Sequence, residues 1–350
     1  MVRPHTLPSR RAAAALAAAA AIILSAPFVQ QAFTLLGARW PAHARGLIVS
    51  ASAVPAAAVF LLALWRIHDR KPLRYLLLLL GFASGGSYIL FTGLSFAESF
   101  HFIEYGLLAV LFYRIWHSEG AAGSEDWSVL LLPLLAASTA GTFDEWFQWF
   151  IPIRVGEARD VLLNAAAAAC GLLVAVAIEP PRGPLGALNN RTRRHVVAHS
   201  VAAVVTFVLF FQTVHMGYDV RDPEIGVFRS RFTAAELAES ARERRERWSR
   251  QPPIAQRRLS REDHYLTEAL WHVQRRNQAW SRGDAATAWR ENRILEKFYA
   301  PVLDTPTYAD AGGHRWLPAQ RDEAAARGAD APQASTAYAY PLFVWPGPLF

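Results

Sequence analysis

Cysteine, lysine and charge are scarce in this sequence. One of its 350 residues is Cys, two of its 36 basic residues are Lys, and 19% of the chain is charged, while 53% is hydrophobic. The single Cys170 excludes a disulfide framework within the chain, and we attribute the scarcity of Lys to composition bias. Since a soluble protein carries about a quarter charged residues, the low charge excludes a soluble single-domain enzyme.

The charge that is present is concentrated in the second part of the chain. Residues 1–218 hold 16 basic and 11 acidic residues, while the shorter segment 219–350 holds 20 and 18. We therefore predict a membrane domain followed by a water-soluble domain. The net charge is +7, but no long stripe of basic and aromatic residues is present, and so we expect no nucleic-acid partner.

Long apolar runs predict an all-α fold, a polytopic transmembrane helix bundle followed by a C-terminal helical extracytoplasmic domain. Runs of about 18 residues or more are typical of membrane-spanning helices. The first run is long enough to be a retained span rather than a signal peptide. The seven runs cover residues 12–37, 47–65, 75–96, 98–116, 128–150, 160–178 and 196–217.

Basic residues in the short loops predict the orientation of these spans. With the N-terminus inside, 12 basic residues face the cytoplasm, and four lie outside, namely Arg39, Arg45, Arg154 and Arg159. Because short cytoplasmic loops carry the excess of Lys and Arg, the N-terminus is predicted inside. Seven spans then place the C-terminal domain outside.

Polar residues within the spans are the functional candidates, because ionisable groups are costly inside a membrane. Helical spacing puts those of each span on one face, and the predicted orientation puts all three faces at the same outer depth. The fourth span contributes Glu98, His101, Glu104 and Tyr105. The fifth contributes Asp144, Glu145 and Gln148, and the sixth Asp160 and Asn164, while Arg154 and Arg159 lie between these two spans.

Structural explanations for these residues remain open. Asp160 is also placed to cap the sixth helix, and Arg154 and Arg159 also suit anchors at lipid headgroups. A network of carboxylates and arginines could likewise do no more than lock the helices together. However, helix packing in membranes uses small residues and hydroxyls, and five carboxylates exceed that need.

The same residues carry a resemblance to the VanZ-like family of bacterial membrane proteins. Residues 98–171 resemble its pattern of His-x-x-x-Tyr, then Asp-Glu-x-x-Gln-x-Phe-x-Pro-x-Arg, then Asp-x-x-x-Asn with spaced glycines. Two positions depart from the pattern: Glu98 replaces a Lys, and Ala167 replaces the first glycine. The matching residues are His101, Tyr105, Asp144, Glu145, Gln148, Phe150, Pro152, Arg154, Asp160, Asn164 and Gly171.

The resemblance implies a multi-pass protein of the bacterial cytoplasmic (inner) membrane. The family is named for an accessory role in low-level resistance to the glycopeptide teicoplanin, and its biochemical activity is not established. Such antibiotics act on cell-wall precursors outside the membrane, which fits a site that faces outward. A role in cell-envelope homeostasis or glycopeptide resistance is therefore implied.

Three functions are open for the site. In the first, it binds a membrane lipid or lipid-linked cell-wall precursor through Arg154 and Arg159, helped by the other polar residues named above. In the second, it is an intramembrane hydrolase or transferase, with Glu104 or Glu145 as general base and His101 as acid or metal ligand. In the third, it is a scaffold. We expect no resident metal or cofactor, because no tight ligand motif is present.

The C-terminal part predicts helices and a tail. Thr233 and Glu236 form a capping box, Ser260 precedes a second helix, and Gly283-Asp284 forms the turn into a third. We expect this domain to contact a protein partner or to cover the membrane site. The predicted divisions are residues 1–73 (two spans), 74–180 (VanZ-like core), 181–218 (linker and last span), 219–303 (helical domain) and 304–350 (loop-rich tail).

Overall fold

The chain divides into two units in the computed structural model. The N-terminal unit comprises Met1–Gln148 and Gly156–Phe211, and the C-terminal unit comprises Trp149–Val155 and Gln212–Phe350. The structure describes residues 10–92, 100–119, 125–151, 154–253, 261–307, 309–310, 312–328 and 333–345.

Seven long helices match the seven apolar runs in order and approximate length. Four of them, α1, α2, α6 and α7, are long and apolar enough to cross a membrane. Seven crossings, and the side on which the C-terminal unit lies, stay predictions. The helices are α1 (Arg10–Arg39), α2 (Pro41–Arg66), α3 (Lys71–Thr92), α4 (His101–Glu119), α5 (Ser128–Trp149), α6 (Ala158–Ile178) and α7 (Asn190–His215).

Helix α6 is central to the N-terminal unit, since it packs against both α3 and α4. Its contact with α4 is close because glycines meet there: a Cβ atom on Gly171 would lie 2.3 Å from the carbonyl oxygen of Gly106. Small residues let membrane helices approach in this way. Large apolar side chains of α1, α2 and α7, including Leu24, Leu61 and Val204, are exposed. Such faces suit contact with lipid.

The C-terminal unit combines helices with a small sheet. Its helices are α8 (Ala234–Trp248), α9 (Arg261–Ser281), α10 (Ala285–Phe298), α11 (Ala300–Asp304) and α12 (Pro318–Arg327). Its strands are β1 (Met216–Asp222), β2 (Gly226–Ser230), β3 (Gln333–Ala334) and β4 (Phe343–Val344). The sheet order is β3-β2-β1-β4, with β1 antiparallel to β2 and the outer two pairs parallel.

This sheet corrects the expectation of an all-α fold. Strands β1 and β2 have seven and five residues, β2 has no alternation of apolar and polar side chains, and β3 and β4 have two residues each, so no period-2 pattern marks the sheet as a whole in the sequence. They exist because the chain returns to pair with β1 and β2 from more than 100 residues away. Within residues 304–350, for which we predict a loop-rich tail, the structure has α12, β3 and β4, and Trp316 is buried.

The helix starts of the C-terminal unit agree with the sequence. Thr233 and Glu236 form the reciprocal capping box, and Asp284 caps α10 by accepting a hydrogen bond from the backbone N–H of Thr287. Gly283 has a φ of 79°, which favours glycine at this turn. Ser260 lies outside the described residues. Phe228, Leu237, Tyr265 and other apolar side chains of the sheet and helices form one hydrophobic core, and Trp316 belongs to a second cluster.

Candidate functional site

Helix α5 supplies the centre of the polar site in its last turns. Asp144 and Glu145 lie three and four residues after Gly141, and Gln148 lies four and three residues after them, so the four residues share one face. The amide Nε2 of Gln148 donates to Asp144 Oδ2 at 2.9 Å and to Glu145 Oε1 at 3.0 Å. Glu145 Oε2 also accepts from the backbone N–H of Glu157 at 3.2 Å. Both carboxylates are buried, Glu145 completely.

Helix α4 brings an imidazole and a phenol to the same place. His101 is its first residue and is partly buried, while Tyr105 is fully buried one turn later. The two rings are stacked, with centroids 6.0 Å apart and planes 10° apart. The Tyr105 hydroxyl faces Asp144, and the charge of Glu145 is also near it. The expected shared face of His101 and Tyr105 is confirmed.

Helix α6 completes the site with Asn164, which is fully buried. Its Nδ2 donates to the carbonyl oxygen of Gly141 at 3.5 Å. A Cβ atom at position 141 would lie 2.8 Å from Asn164 Cβ and 3.2 Å from Tyr105 Cε1. Gly141 therefore leaves the space in which side chains of α4 and α6 meet α5. Sequence reasoning missed Gly141, although a glycine one turn before Asp144 was a signal for it.

Three potential ligand groups converge at this point. One ring nitrogen of His101, one oxygen of Asp144 and one oxygen of Glu145 all lie within 4.8 Å of one another. Two carboxylates and an imidazole at such separations can share a proton or hold a cation. The three helices thus bring together His101, Tyr105, Asp144, Glu145, Gln148 and Asn164.

The other predicted residues are placed differently. Glu104 is partly exposed, and its charge acts on Tyr105. Asp160 is partly buried in the first turn of α6, where the residue at the N-cap is Glu157, so the capping role considered for Asp160 is wrong. Arg159 is exposed. Arg154 belongs to the short segment Trp149–Val155, which is part of the C-terminal unit. Glu98 lies outside the described residues.

Comparison with known proteins gives a family for the helices that carry the site. Residues 14–179 match the family model described as VanZ/LLP1. Residues 14–179 are therefore similar to this family, and we call them the VanZ-like region. The match contains the motif residues of α4, α5 and α6, and it also takes in α1, α2 and α3, which lie before the motifs that suggested the resemblance. No curated protein and no solved structure matches the chain.

The other end of the VanZ-like helices holds paired charges that sequence reasoning missed. Arg114 forms two hydrogen bonds to the Glu179 carboxylate, at 2.6 and 3.2 Å. Buried Arg74 donates to the carbonyl oxygens of Ala177 and Ile178 at 2.7 and 2.6 Å, and also pairs with Asp69. Arg74 and Arg114 are among the 12 basic residues that predict a cytoplasmic side, and in the structure they also hold the end of α6.

An apolar cavity of about 590 Å³ lies among the VanZ-like helices α2, α3, α4 and α6. On α4 it is lined by Phe102, Ile103 and Gly106, which are sequence neighbours of His101 and Tyr105. The same lining reaches Arg114 and Glu179 at the far end of that helix. With a rise of about 1.5 Å per residue, the cavity follows α4 for most of its length.

Proposed function

We propose that this VanZ-like chain is a multi-pass membrane protein that binds the headgroup of an anionic lipid or of a lipid-linked cell-wall precursor. The observation that carries the proposal is the convergence of buried polar groups from three helices, two of which, α4 and α6, also line an apolar cavity. Buried polar groups are costly in an apolar surrounding unless they have a role. A ligand with a polar head and a hydrocarbon tail uses both features.

The cavity supports a lipid rather than a soluble ligand. Its volume falls in the range of about 300–1,000 Å³ that ligand pockets occupy. Its lining is predominantly apolar and includes the glycines Gly85 and Gly171. A hydrocarbon chain along α4 would bring its headgroup to the start of that helix, where His101 and Tyr105 lie.

Two arginines near the junction of α5 and α6 support the anionic character of the ligand. A guanidinium group matches the geometry of phosphate or carboxylate with two parallel hydrogen bonds. Arg154 lies between those helices, and Arg159 is the second residue of α6. We therefore propose that both hold the headgroup.

The proposed topology has seven spans, with the N-terminus inside and the C-terminal unit outside the bacterial inner membrane. The positive-inside distribution of basic residues supports it, and an outer site fits a role in the cell envelope or in glycopeptide resistance. Reporters fused after residue 350 test this orientation. Activity of a periplasm-specific reporter is expected, and activity of a cytoplasm-specific reporter would reverse the assignment.

Mass spectrometry of lipids retained by the purified full chain tests the function. The double variant Arg154→Gln/Arg159→Gln should lose most of the retained anionic lipid, because the headgroup loses its counter-charges. The matched control is Arg191→Gln/Arg193→Gln, which removes two exposed arginines at the start of α7 and should retain lipid as the wild type does. Equal retention by all three proteins would contradict headgroup binding through these arginines.

A second candidate is an intramembrane hydrolase or transferase. The proximity of His101 to Asp144 and Glu145 favours it, since an imidazole beside carboxylates is a common acid–base arrangement. Release of a water-soluble headgroup from the retained lipid, abolished by His101→Gln, would support this reaction. A scaffold, the third function, predicts site variants that retain lipid but unfold at lower temperature.

A further inference from the structure

We propose that His101, Asp144 and Glu145 form a binding site for a divalent metal cation. The three residues come from two helices, α4 and α5, and each offers one ligand atom within 4.8 Å of the others. Ligands of one ion at about 2.0–2.2 Å are separated by about 3–3.5 Å. The observed spacing therefore closes to coordination distance by small side-chain rotations, with no movement of the helices.

A second observation points to a ligand at the same place. Asn164 is fully buried, with 0% of its surface accessible. Its Oδ1 has no hydrogen-bond partner among the described residues. Its amide lies against Gly141, one turn from Asp144 and Glu145 on α5. Buried amide oxygens are ordinarily satisfied, and a carbonyl-type oxygen is a ligand for hard cations. Asn164 therefore adds a donor from the third helix, α6.

The charge of the cluster matches a divalent ion. Two carboxylates and a neutral imidazole carry a charge of −2, so a bound divalent cation makes the buried group neutral. The neutral donors Gln148 Nε2 and Glu157 N–H orient the carboxylate oxygens. Hydrogen bonds to coordinating carboxylates of this kind fix them for metal binding.

The mixed donor set restricts the kind of ion. A nitrogen from His101 with oxygens from Asp144 and Glu145 suits Mn²⁺, Zn²⁺ or Fe²⁺ better than Ca²⁺, which takes oxygens alone. We chose Mn²⁺ as the probe because its unpaired electrons report directly on its ligands. The sequence predicts that these residues converge and offers His101 as a metal ligand, but it does not single out the three donors, because they are 43 and 44 residues apart on separate helices.

The cation also explains how an acidic site accommodates an anionic headgroup, and this part rests on the proposed function. A metal ion held by carboxylates keeps positions open for phosphate oxygens, as ions that bridge protein carboxylates and phosphates do. Binding of the ion itself does not depend on the lipid. The two claims therefore separate experimentally.

Titration of the delipidated full chain with Mn²⁺, followed by electron paramagnetic resonance, tests the ion site. One saturable Mn²⁺ per chain is expected, and Asp144→Asn and Glu145→Gln should each weaken binding at least tenfold. The matched control is Glu125→Gln, because Glu125 is also buried and lies 3.0 Å from His117 on α4. This control should bind Mn²⁺ as the wild type does. No saturable binding, or equal weakening by the control, would overturn the site.

A measurement on the wild type alone keeps the test valid if a variant fails to fold. Electron spin echo modulation from a ¹⁴N nucleus coupled to the bound Mn²⁺ is expected, since His101 coordinates through its ring. His101→Gln should remove that modulation. Saturable Mn²⁺ without nitrogen coupling in the wild type would overturn the assignment of His101.

Lipid retention measured after chelation, and again after Mn²⁺ is restored, separates the two proposals. Loss of anionic lipid on chelation and its return with Mn²⁺ supports both. Saturable Mn²⁺ with no retained lipid contradicts the proposed function and supports the ion site. Retained lipid with no saturable Mn²⁺ contradicts the ion site and leaves the proposed function in place.

Discussion

Helix α4 carries two similar histidines, one near each end, with different surroundings. His101 is stacked on Tyr105 and His117 on Tyr113, each at a spacing of four residues. His117 lies 3.0 Å from Glu125, whose other oxygen accepts from the backbone N–H of Arg182 at 2.8 Å. His101 instead groups with two carboxylates, Asp144 and Glu145.

These surroundings indicate that His117 and Glu125 form a structural pair, whereas His101 belongs to the candidate site. At the His117 end, one carboxylate joins one histidine and a backbone amide, and the nearby Glu179 is paired with Arg114. At the His101 end, the carboxylates of Asp144 and Glu145 lie within 4.8 Å of each other and of the imidazole. Grouped like charges raise the free energy of the folded chain. Ion pairs hold the His117 end, whereas at the His101 end Gln148 and the backbone N–H of Glu157 hold two grouped carboxylates, which is the arrangement that the proposed cation would use.

The substitution with the largest expected effect disrupts the contact between α4 and α6, on which both ends of α4 depend. Gly171→Ala would place a Cβ atom 2.3 Å from a backbone oxygen of α4, and we expect the free energy of unfolding to fall by about 3 kcal/mol or more. Gly106→Ala is the matched control, since its Cβ atom would meet its nearest neighbour at 3.6 Å. Thermal unfolding in detergent measures both. Equal stability of the two variants would refute the close approach of α4 and α6.

A substitution with a smaller expected effect tests the end of the helices that holds His117 and the paired charges. Arg74→Met removes two charge-assisted hydrogen bonds to carbonyl oxygens at the end of α6, and we expect a loss of about 2–3 kcal/mol in the free energy of unfolding. Lys71→Met changes an exposed basic residue of the same helix and should have little effect. The same unfolding measurement applies, and a similar loss for both variants would show that α3 responds to charge rather than to the buried contacts.

His264 of the C-terminal unit extends the comparison to a histidine that lies against an aromatic ring and near an arginine. His264 is stacked on Trp149, with ring centroids 4.1 Å apart. Burial, and then the charge of Arg231, lower the pKa of His264 from 6.5 to about 4. The folded state therefore resists protonation, so stability is full above pH 6.5 and falls as the pH drops from 6.5 towards 4.

At pH 5 we expect His264 to cost the C-terminal unit on the order of 1–2 kcal/mol relative to pH 7.5. His264→Gln should flatten this part of the pH profile, because no proton is taken up on unfolding. Unfolding of the full chain at a series of pH values, followed by tryptophan fluorescence, measures it. An unchanged pH profile in the variant would assign the acid sensitivity to other groups.

The smallest expected change in stability belongs to the site itself. Asp144→Asn and Glu145→Gln relieve grouped negative charge and keep the side-chain volume, so the unfolding temperature of the metal-free protein should stay the same or rise. Glu125→Gln loses its contact with His117 and should lower the free energy of unfolding by about 1 kcal/mol. Destabilisation by the site variants, equal to that of Glu125→Gln, would favour a scaffold.

The sequence was sufficient for those parts of the molecule that depend on local spacing. The long helices, the shared face of Asp144 and Gln148, and the approach of Asn164 follow from helical periodicity and antiparallel neighbours. The capping box at Thr233 and the turn at Gly283 follow from residues three or four apart. Each of these features needs no information about distant parts of the chain.

The missed features depend on contacts between distant residues. The pair of Arg114 and Glu179 joins positions 65 residues apart, and the role of Gly141 is visible only when Asn164 and Tyr105 stand beside it. The sheet likewise pairs β1 with β4 across more than 100 residues. A spacing pattern carries no signal for such contacts, since they arise from packing.

Lipid retention by Glu145→Gln and by Glu125→Gln, compared in the metal-loaded full chain, tests most directly whether the two ends of α4 differ in role. Both substitutions convert a buried glutamate near a histidine into the amide of the same size. We expect Glu145→Gln to lose most of the anionic lipid that the wild type retains, and Glu125→Gln to retain it. Equal retention by both variants, or a greater loss in Glu125→Gln, would contradict the account.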